Sequence, residues 1–453
     1  MALTKELAEF CSALRYDGLP REAIQFIRIG FTDCFATLVA GRFSSPAQIL
    51  LKTLAPSAGE SRLFVDQGCV RSADAAWLNA TAAHALDFDD AAQRGHISTC
   101  IVPAILAEAD ACGADGKRMA TAYAVGYEVW AELIRREPDH HHTHSWHPTG
   151  VFGPVAAAAA CASLLGLDAV QTMHALAIGS SQSAGLIANF GTMVKPYHAG
   201  RAAHAGVIAA RLAAAGFTGA LDALEHPKGL LMGISRRARA DVATTIEAGR
   251  EWKLPRDGVN TKKYPNCFAS HRALDGMLAI VQEYAITPSL VKRITVTTSR
   301  RNKATLRFDS PQDANQARFS MQFSMASAVV AQRCSLLEFV DGFVQRSDVL
   351  RLMSLVEVMP EDEEDPRRPG EAPQDVVVLE TVDGRSLTRS VSYVRGGPEM
   401  PLLPGELFSK FETCLKAGRL AIDPQSLFGA LMSIEELPDT ATLYQMAAQP
   451  TSL

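Results

Sequence analysis

Residues 196–216 read PYHAGRAAHAGVIAARLAAAG. Pro196 suits the first turn of a helix, where its missing N–H is not needed, and Gly216 suits the end. Between them Ala and Gly recur, and small side chains let helix axes approach closely. The stretch predicts a helix over 196–215 packed against other helices. The same texture extends outward. From the N-terminus to about residue 255, helical periodicities follow one another, punctuated by Gly and Pro. The longest low-charge stretch, residues 150–168, is built from Ala and Gly and interrupted by Pro154. It reads as a buried helix, since a membrane span needs about 20 strongly apolar residues.

The pattern changes near residue 289. Residues 290–297 (LVKRITVT) alternate and are rich in β-branched side chains, which predicts a strand. Residues 375–382 and 386–394 flank Asp383-Gly384, a hairpin signal. Residues 321–334 read as a helix, and 361–374 (EDEEDPRRPGEAPQ) as a charged, Pro-rich surface loop. After Pro404 helical periodicity returns and runs to about Met446. The expected fold class is mainly α: a large all-helical domain from residues 1–259 and 401–453, with a smaller α+β domain, residues 260–400, inserted between them.

A chain of 453 residues is too long for one ordinary core, so two or three domains are expected. Its 47% hydrophobic and 21% charged residues are ordinary for a globular protein. A net charge of −5 offers no basic field for DNA or RNA. The first twenty residues, MALTKELAEFCSALRYDGLP, read as an amphipathic helix with no unbroken apolar run of a signal peptide. Nine scattered cysteines form no CxxC pair, which fits reduced thiols and a cytoplasmic location. Neither a nucleic acid nor a membrane is an expected partner.

Five stretches carry candidate chemistry. The first is His84-Ala-Leu-Asp87-Phe-Asp89-Asp90, followed by His96. On a helix, Asp87 and Asp90 would share a face with His84. Three carboxylates so close repel one another unless positive charge is nearby. A solvated helix end is the plain reading; a general acid/base group or cation site is the functional one. DxDD also matches a short motif of helical terpene cyclases, but aromatics are only 7% of the chain. The second stretch is residues 140–150, HHHTHSWHPTG, which holds five of the twelve histidines. No HExxH or Cys/His spacing accompanies it, so no metal site is expected. His147 precedes Pro148 and stands where a helix N-terminus would attract anions.

The third stretch, residues 191–201 (GTMVKPYHAGR), repeats that geometry with Lys195 before Pro196. A lysine there can clamp a carboxylate, or act as a base when desolvated; a surface loop lysine is the plain alternative. The fourth is residues 262–267 (KKYPNC) with His271 and Asp275, at the proposed domain boundary. His271 could equally be core packing, and Cys267 has no assignable base. The fifth is residues 318–323 (RFSMQF), where Arg318 could fork a carboxylate or form a surface salt bridge. The GxxxxGK[ST] loop, the strand–GxGxxG–helix unit and the GxSxG elbow are absent, so no nucleotide or organic cofactor is implied.

Taken in order, residues 84–107 (HALDFDDAAQRGHISTCIVPAILA), 126–133 (GYEVWAEL), 145–160 (SWHPTGVFGPVAAAAA), 179–206 (GSSQSAGLIANFGTMVKPYHAGRAAHAG), 213–219 (AAAGFTG), 262–275 (KKYPNCFASHRALD) and 317–324 (ARFSMQFS) resemble the MmgE/PrpD family. The resemblance covers most of the chain. It implies a large helical domain with a smaller α+β lid, a homodimer, and a site between the domains. It assigns Asp87, His96, His147, Lys195 and His271 to that site as catalytic candidates; the stretches themselves add Lys263, Arg318 and Tyr197 as substrate-binding candidates. The family includes 2-methylcitrate dehydratases, cis-aconitate decarboxylases and an iminodisuccinate epimerase. Two positions depart from its usual pattern: Ala91 where DFDDT has Thr, and Ile97 where many members have Pro.

These reactions share negative charge developing beside a carboxylate, which calls for a proton donor or acceptor and stabilising cations. The implied function is a metal-free lyase acting on a small di- or tricarboxylic acid, with Lys195 and His271 stabilising charge. His147 or His96 would move the proton and Asp87 would orient a histidine. The alternative is an epimerase of an amino-dicarboxylate. A non-catalytic binding protein on the same scaffold would exchange no substrate protons.

Overall fold

The computed structural model describes residues 3–66, 68–138, 145–368 and 370–448. The chain is mainly helical and divides into two compact units. The first takes in the described residues of Met1–Ala188, Met193–Thr261 and Leu403–Leu453; the second is Asn189–Thr192 with Lys262–Leu402.

In the first unit the helices are α1 (Leu3–Ala13), α2 (Arg21–Gly41), α3 (Ser45–Leu54), α4 (Ser72–His84), α5 (Ile97–Cys112), α6 (Gly116–Arg136), α7 (Pro148–Leu165), α8 (Ala169–Ser180) and α9 (Val194–Ala214). Two single-turn helices follow, α10 (Leu230–Ile234) and α11 (Lys253–Asp257). The segment between α9 and α11 is therefore mostly irregular, where helix was expected. The buried guanidinium of Arg136 helps hold it, donating to Glu132 and to the carbonyls of Asp241 and Thr244.

The centre of this unit is α7, apolar all round and buried, packed against α5, α6 and α9. The small residues read from the sequence set the spacing. A Cβ on Gly206 of α9 would lie 2.3 Å from the Ala157 side chain of α7, and one on Gly200 would lie 2.1 Å from Thr81 Oγ1 of α4. Only glycine admits such approaches. Among the described residues, α2 and α7 are long and apolar enough to cross a membrane, and both are largely buried within the protein.

The first unit is not all-helical. Strand β1 (Ala58–Arg62) pairs antiparallel with β2 (Cys69–Val70). The sequence AGESR has no β-branched run to announce a strand. What holds it is local: Ser61 Oγ contacts Ser72 Oγ at 2.7 Å and donates to Ala107 O at 2.6 Å.

The second unit is α+β. It contains β3 (Val291–Ser299), β4 (Val356–Glu361), β5 (Asp375–Thr381) and β6 (Ser386–Val391), in the order β4-β3-β5-β6. The hairpin β5–β6 turns through Gly384, whose φ of +90° suits glycine. Strand β4 lies parallel to β3, with Ile294 opposite Val356. The helices of this unit are α12 (His271–Glu283), α13 (Arg300–Thr305), α14 (Ala314–Ala317), α15 (Met321–Ala331), α16 (Asp341–Val344) and α17 (Ser347–Met353). Helix α12 packs on β5 and β6, and α15 on β4. Leu274, Met277, Ile294, Val377 and Phe323 share the core.

The chain then returns to the first unit with α18 (Pro404–Ala417), α19 (Pro424–Leu431) and α20 (Ala441–Ala448). Helix α18 lies against α2.

Candidate active site

Helix α4 ends at His84, so Asp87 and Asp90 do not share a helical face with it, and the stretch is a turn rather than a solvated helix end. Asp87 has a φ of +50° in the left-handed region, which a helix cannot contain and which aspartate tolerates better than most residues. The turn sends its carboxylates inward. Asp87, Asp89 and Asp90 are all buried, and buried carboxylates demand donors. Gln93, Arg94 and Ser145 also have positive φ, so four of nine such non-glycine residues among those described fall within 85–96 and 145–147. Strain of this kind persists only where surrounding contacts impose it.

The donors come from three helices. Lys195, in the first turn of α9, places Nζ 2.7 Å from Asp87 Oδ1 and 2.8 Å from His84 Nε2. An ammonium offers only hydrogens, so His84 Nε2 carries a lone pair and the ring proton sits on Nδ1. That proton faces Asp89, whose oxygens lie 2.9 and 3.0 Å away. Burial, with Lys195 adding to it against Asp89, holds His84 neutral, its pKa down to about 3.

His96 stands immediately before α5. Its Nδ1 is 2.7 Å from Asp89 Oδ2 and 3.1 Å from Asp90 O, both acceptors, so Nδ1 carries hydrogen. Its Nε2 lies 3.9 Å from Asp87 Oδ1. Burial pushes Asp89 up, but the facing imidazoles of His84 and His96 outweigh it and hold the carboxyl well below the usual range. Asp90 goes the other way: burial, then the neighbouring Asp33 and Asp89, push it well above that range. Ser98 Oγ lies 2.8 Å from Asp90 Oδ2 and 2.9 Å from Tyr123 OH.

His147 immediately precedes α7, as its place before Pro148 implied. Its backbone N–H donates to Gly185 O at 3.1 Å, beside an antiparallel bridge between Trp146 and Leu186. The ring stacks near His84 with centroids 6.1 Å apart. Its Nδ1 lies 3.1 Å from Nδ1 of His198 on α9. Burial and the Lys195 charge hold both rings neutral, His147 well below its ordinary pKa and His198 down to about 4.

Asp87, His96, His147 and Lys195 are therefore brought together within the first unit. One ligand atom from each of His84, Asp87, Asp89 and His96 falls within 4.8 Å of the others, a spacing a metal ion can use. Two of these residues already face the Lys195 ammonium, which supplies a positive charge at that point. His84, Asp89 and His198 were not among the expected site residues. Each stands inside a stretch singled out from the sequence, but nothing in the spacing tells which side chain of each stretch turns inward.

Tyr197 is more than one-third exposed and lies against Trp77, with ring centroids 5.7 Å apart; it joins none of the hydrogen bonds described above. His271, Lys263 and Arg318 belong to the second unit. His271 opens α12, fully buried, with Nε2 3.4 Å from Asn266 O and its ring between Tyr264 and Phe268. The next residue, Arg272, anchors this end of α12 to the sheet through Asp375, 2.8 Å away. Burial lifts Asp375 to about 6 against the pull of Arg272. Lys263 reaches Asp275 at 2.9 Å, and that carboxylate also accepts from Tyr264 OH at 2.6 Å. Arg318 is buried, donates to Ala314 O at 2.9 Å and lies over the Phe339 ring. The histidines at 140, 141, 142 and 144 lie outside the described residues.

Two family models match the chain: the MmgE/PrpD N-terminal domain over residues 5–243 and the MmgE/PrpD C-terminal domain over residues 264–426. The chain is 26% identical over 393 residues to cis-aconitate decarboxylase of Homo sapiens, covering 83% of this chain and 79% of that one. It is 25% identical to the Mus musculus enzyme of the same name over 393 residues, covering 83% and 78%. Cis-aconitate decarboxylase of Aspergillus terreus is 22% identical over 479 residues, covering 99% of this chain and 96% of its own length. With both domain models matched in order over most of its length, the chain belongs to the MmgE/PrpD family.

Proposed function

We propose that this enzyme is a lyase that removes CO2 from a small tricarboxylic acid of the cis-aconitate type. The observation that carries the proposal is the buried Lys195 ammonium between Asp87 and the neutral His84 ring. The decarboxylase relatives point to the same chemistry. A substrate carboxylate docks on Lys195. The C–C bond to the leaving carboxyl breaks, and its electron pair spreads into the unsaturated acid that remains. A fixed cation at the carboxylate that takes up this electron pair stabilises the charge where it accumulates as the bond breaks. A new C–H bond then forms with a proton from an imidazole.

His147 is the better donor of the two candidates. His96 is held through Nδ1 by Asp89 and the Asp90 carbonyl. His147 instead stands at the start of α7 with a second imidazole behind it. Asp87 orients Lys195, and Asp89 fixes the tautomer of His84. The positive charge comes from lysine, so the reading calls on no metal ion.

Proton NMR in D2O tests it, with chelator-treated protein and a panel of cis-aconitate, citrate, 2-methylcitrate and iminodisuccinate. The expected result is loss of cis-aconitate with CO2 release and one deuteron on a carbon of the product. Loss of water from 2-methylcitrate instead would make the enzyme a dehydratase. Deuterium entering iminodisuccinate with no new compound would make it an epimerase. Either outcome overturns the decarboxylase reading.

A further inference from the structure

The contact between His147 and His198 joins two like atoms. Nδ1 faces Nδ1 at 3.1 Å, with His147 1% and His198 8% exposed. Two lone pairs would repel at that distance, and so would two N–H groups. One hydrogen lies between the rings, and the two imidazoles are opposite tautomers. The pair is held from both sides. The His147 backbone is tied to Gly185 O, and Gly185, with a φ of +126°, lies so near His198 that a Cβ there would be 3.4 Å from its Nδ1. His198 is one helical turn beyond Lys195 on α9.

We propose that His198 is the relay that recharges His147 during proton delivery. This rests on the reading of His147 as proton donor. A neutral imidazole that gives up its only N–H proton becomes an anion, which a buried site disfavours. The second ring removes that cost. As the Nε2–H bond of His147 breaks and the C–H bond of the product forms, the Nδ1–H bond of His198 breaks and the proton moves to His147 Nδ1. Nε2 of His198, the more exposed ring, takes a proton from water, leaving hydroxide that the bulk neutralises. Both rings end neutral with one hydrogen still between them. Water reaching His147 Nε2 after product release resets the tautomers by the reverse exchange.

His198 touches no reacting atom in this scheme and acts through His147. The test pairs an activity-free readout with kinetics. Nitrogen-15 NMR of histidine-labelled wild type, with His147→Gln and His198→Asn for assignment, should show the two rings as opposite tautomers. In turnover, His198→Phe should lower kcat about 10²-fold with KM changed less than about twofold. His198→Asn keeps a hydrogen-bonding group near the Nδ1 position but carries no proton through, and should be equally slow. Imidazole added to His198→Ala should restore part of kcat. Wild-type kcat in His198→Asn would reduce His198 to a hydrogen-bonding prop and overturn the relay, as would two rings of the same tautomer. The NMR result stands whichever acid is the substrate, so failure of the relay and failure of the decarboxylase reading are told apart.

Discussion

Lys195 Nζ lies 2.7 Å from Asp87 Oδ1, and both side chains are about 5% exposed. Each needs the other, because a lone charge at such depth costs several kcal/mol. Lys195→Met keeps the stem and removes the charge. It should lower kcat about 10³-fold and cost about 3 kcal/mol of stability, because Asp87 is left buried beside neutral neighbours. Lys195→Met with Asp87→Asn should regain most of the stability and none of the activity. Substrate decay by NMR and urea melts of the three proteins check this. Substantial turnover in either variant would remove Lys195 from the chemistry.

Asp89 accepts from two imidazoles at once, His84 at 2.9 Å and His96 at 2.7 Å. Asn cannot replace it, since its amide nitrogen would present hydrogens to one of two rings that already donate. Asp89→Asn should therefore turn one ring and lower kcat about 10²-fold while the fold holds. A crystal structure of the variant with both rings unmoved, or unchanged kcat, would count against this role.

Much of this is legible in the sequence, and the failures have local causes. Pro148 and Pro196 mark two helix starts, which is enough to set His147 and Lys195 at helix N-termini. Asp383-Gly384 between alternating runs announces the β5–β6 hairpin. Helical spacing would put Asp87 and Asp90 on one face with His84, but periodicity cannot register a φ of +50° imposed at Asp87 by tertiary contacts. Strand β4 (VEVMPE) carries too little signal of its own: it is short, ends in Pro360 and Glu361, and is fixed by its parallel pairing with β3. His198 escapes as a site residue because its partner His147 is 51 positions away.

The neutral state of His198 has a consequence for acid stability. Burial and then Lys195 bring its pKa from 6.5 to about 4. As pH falls, the unfolded chain takes up the proton first. The contribution is thus complete above about pH 6.5 and lost as pH drops towards 4. Allowing for solvent screening at a ring that is not fully enclosed, its size is about 2 kcal/mol. Wild type should lose that much relative to His198→Asn between pH 7.5 and pH 4. Urea melts across this range decide it, and a difference that stays constant with pH would refute the assignment.

Support from behind the site comes from the C-terminal segment. Lys410 of α18 lies 2.5 Å from Asp33 Oδ1 of α2 and donates to Phe88 O at 2.7 Å, with its ammonium over the Phe88 ring. Phe88 sits between Asp87 and Asp89, so one buried lysine holds the turn that presents both carboxylates. Burial pushes Asp33 up and Lys410 pulls it back, which makes the pair interdependent. Lys410→Met should cost about 3–5 kcal/mol, because Asp33 loses its counter-charge in the core. Adding Asp33→Asn should recover most of that, since no unpaired charge remains. The Phe88 carbonyl still lacks its donor in the double variant, so the turn relaxes and kcat should stay about tenfold down. Full kcat in a stable double variant would show that the turn holds its geometry without Lys410.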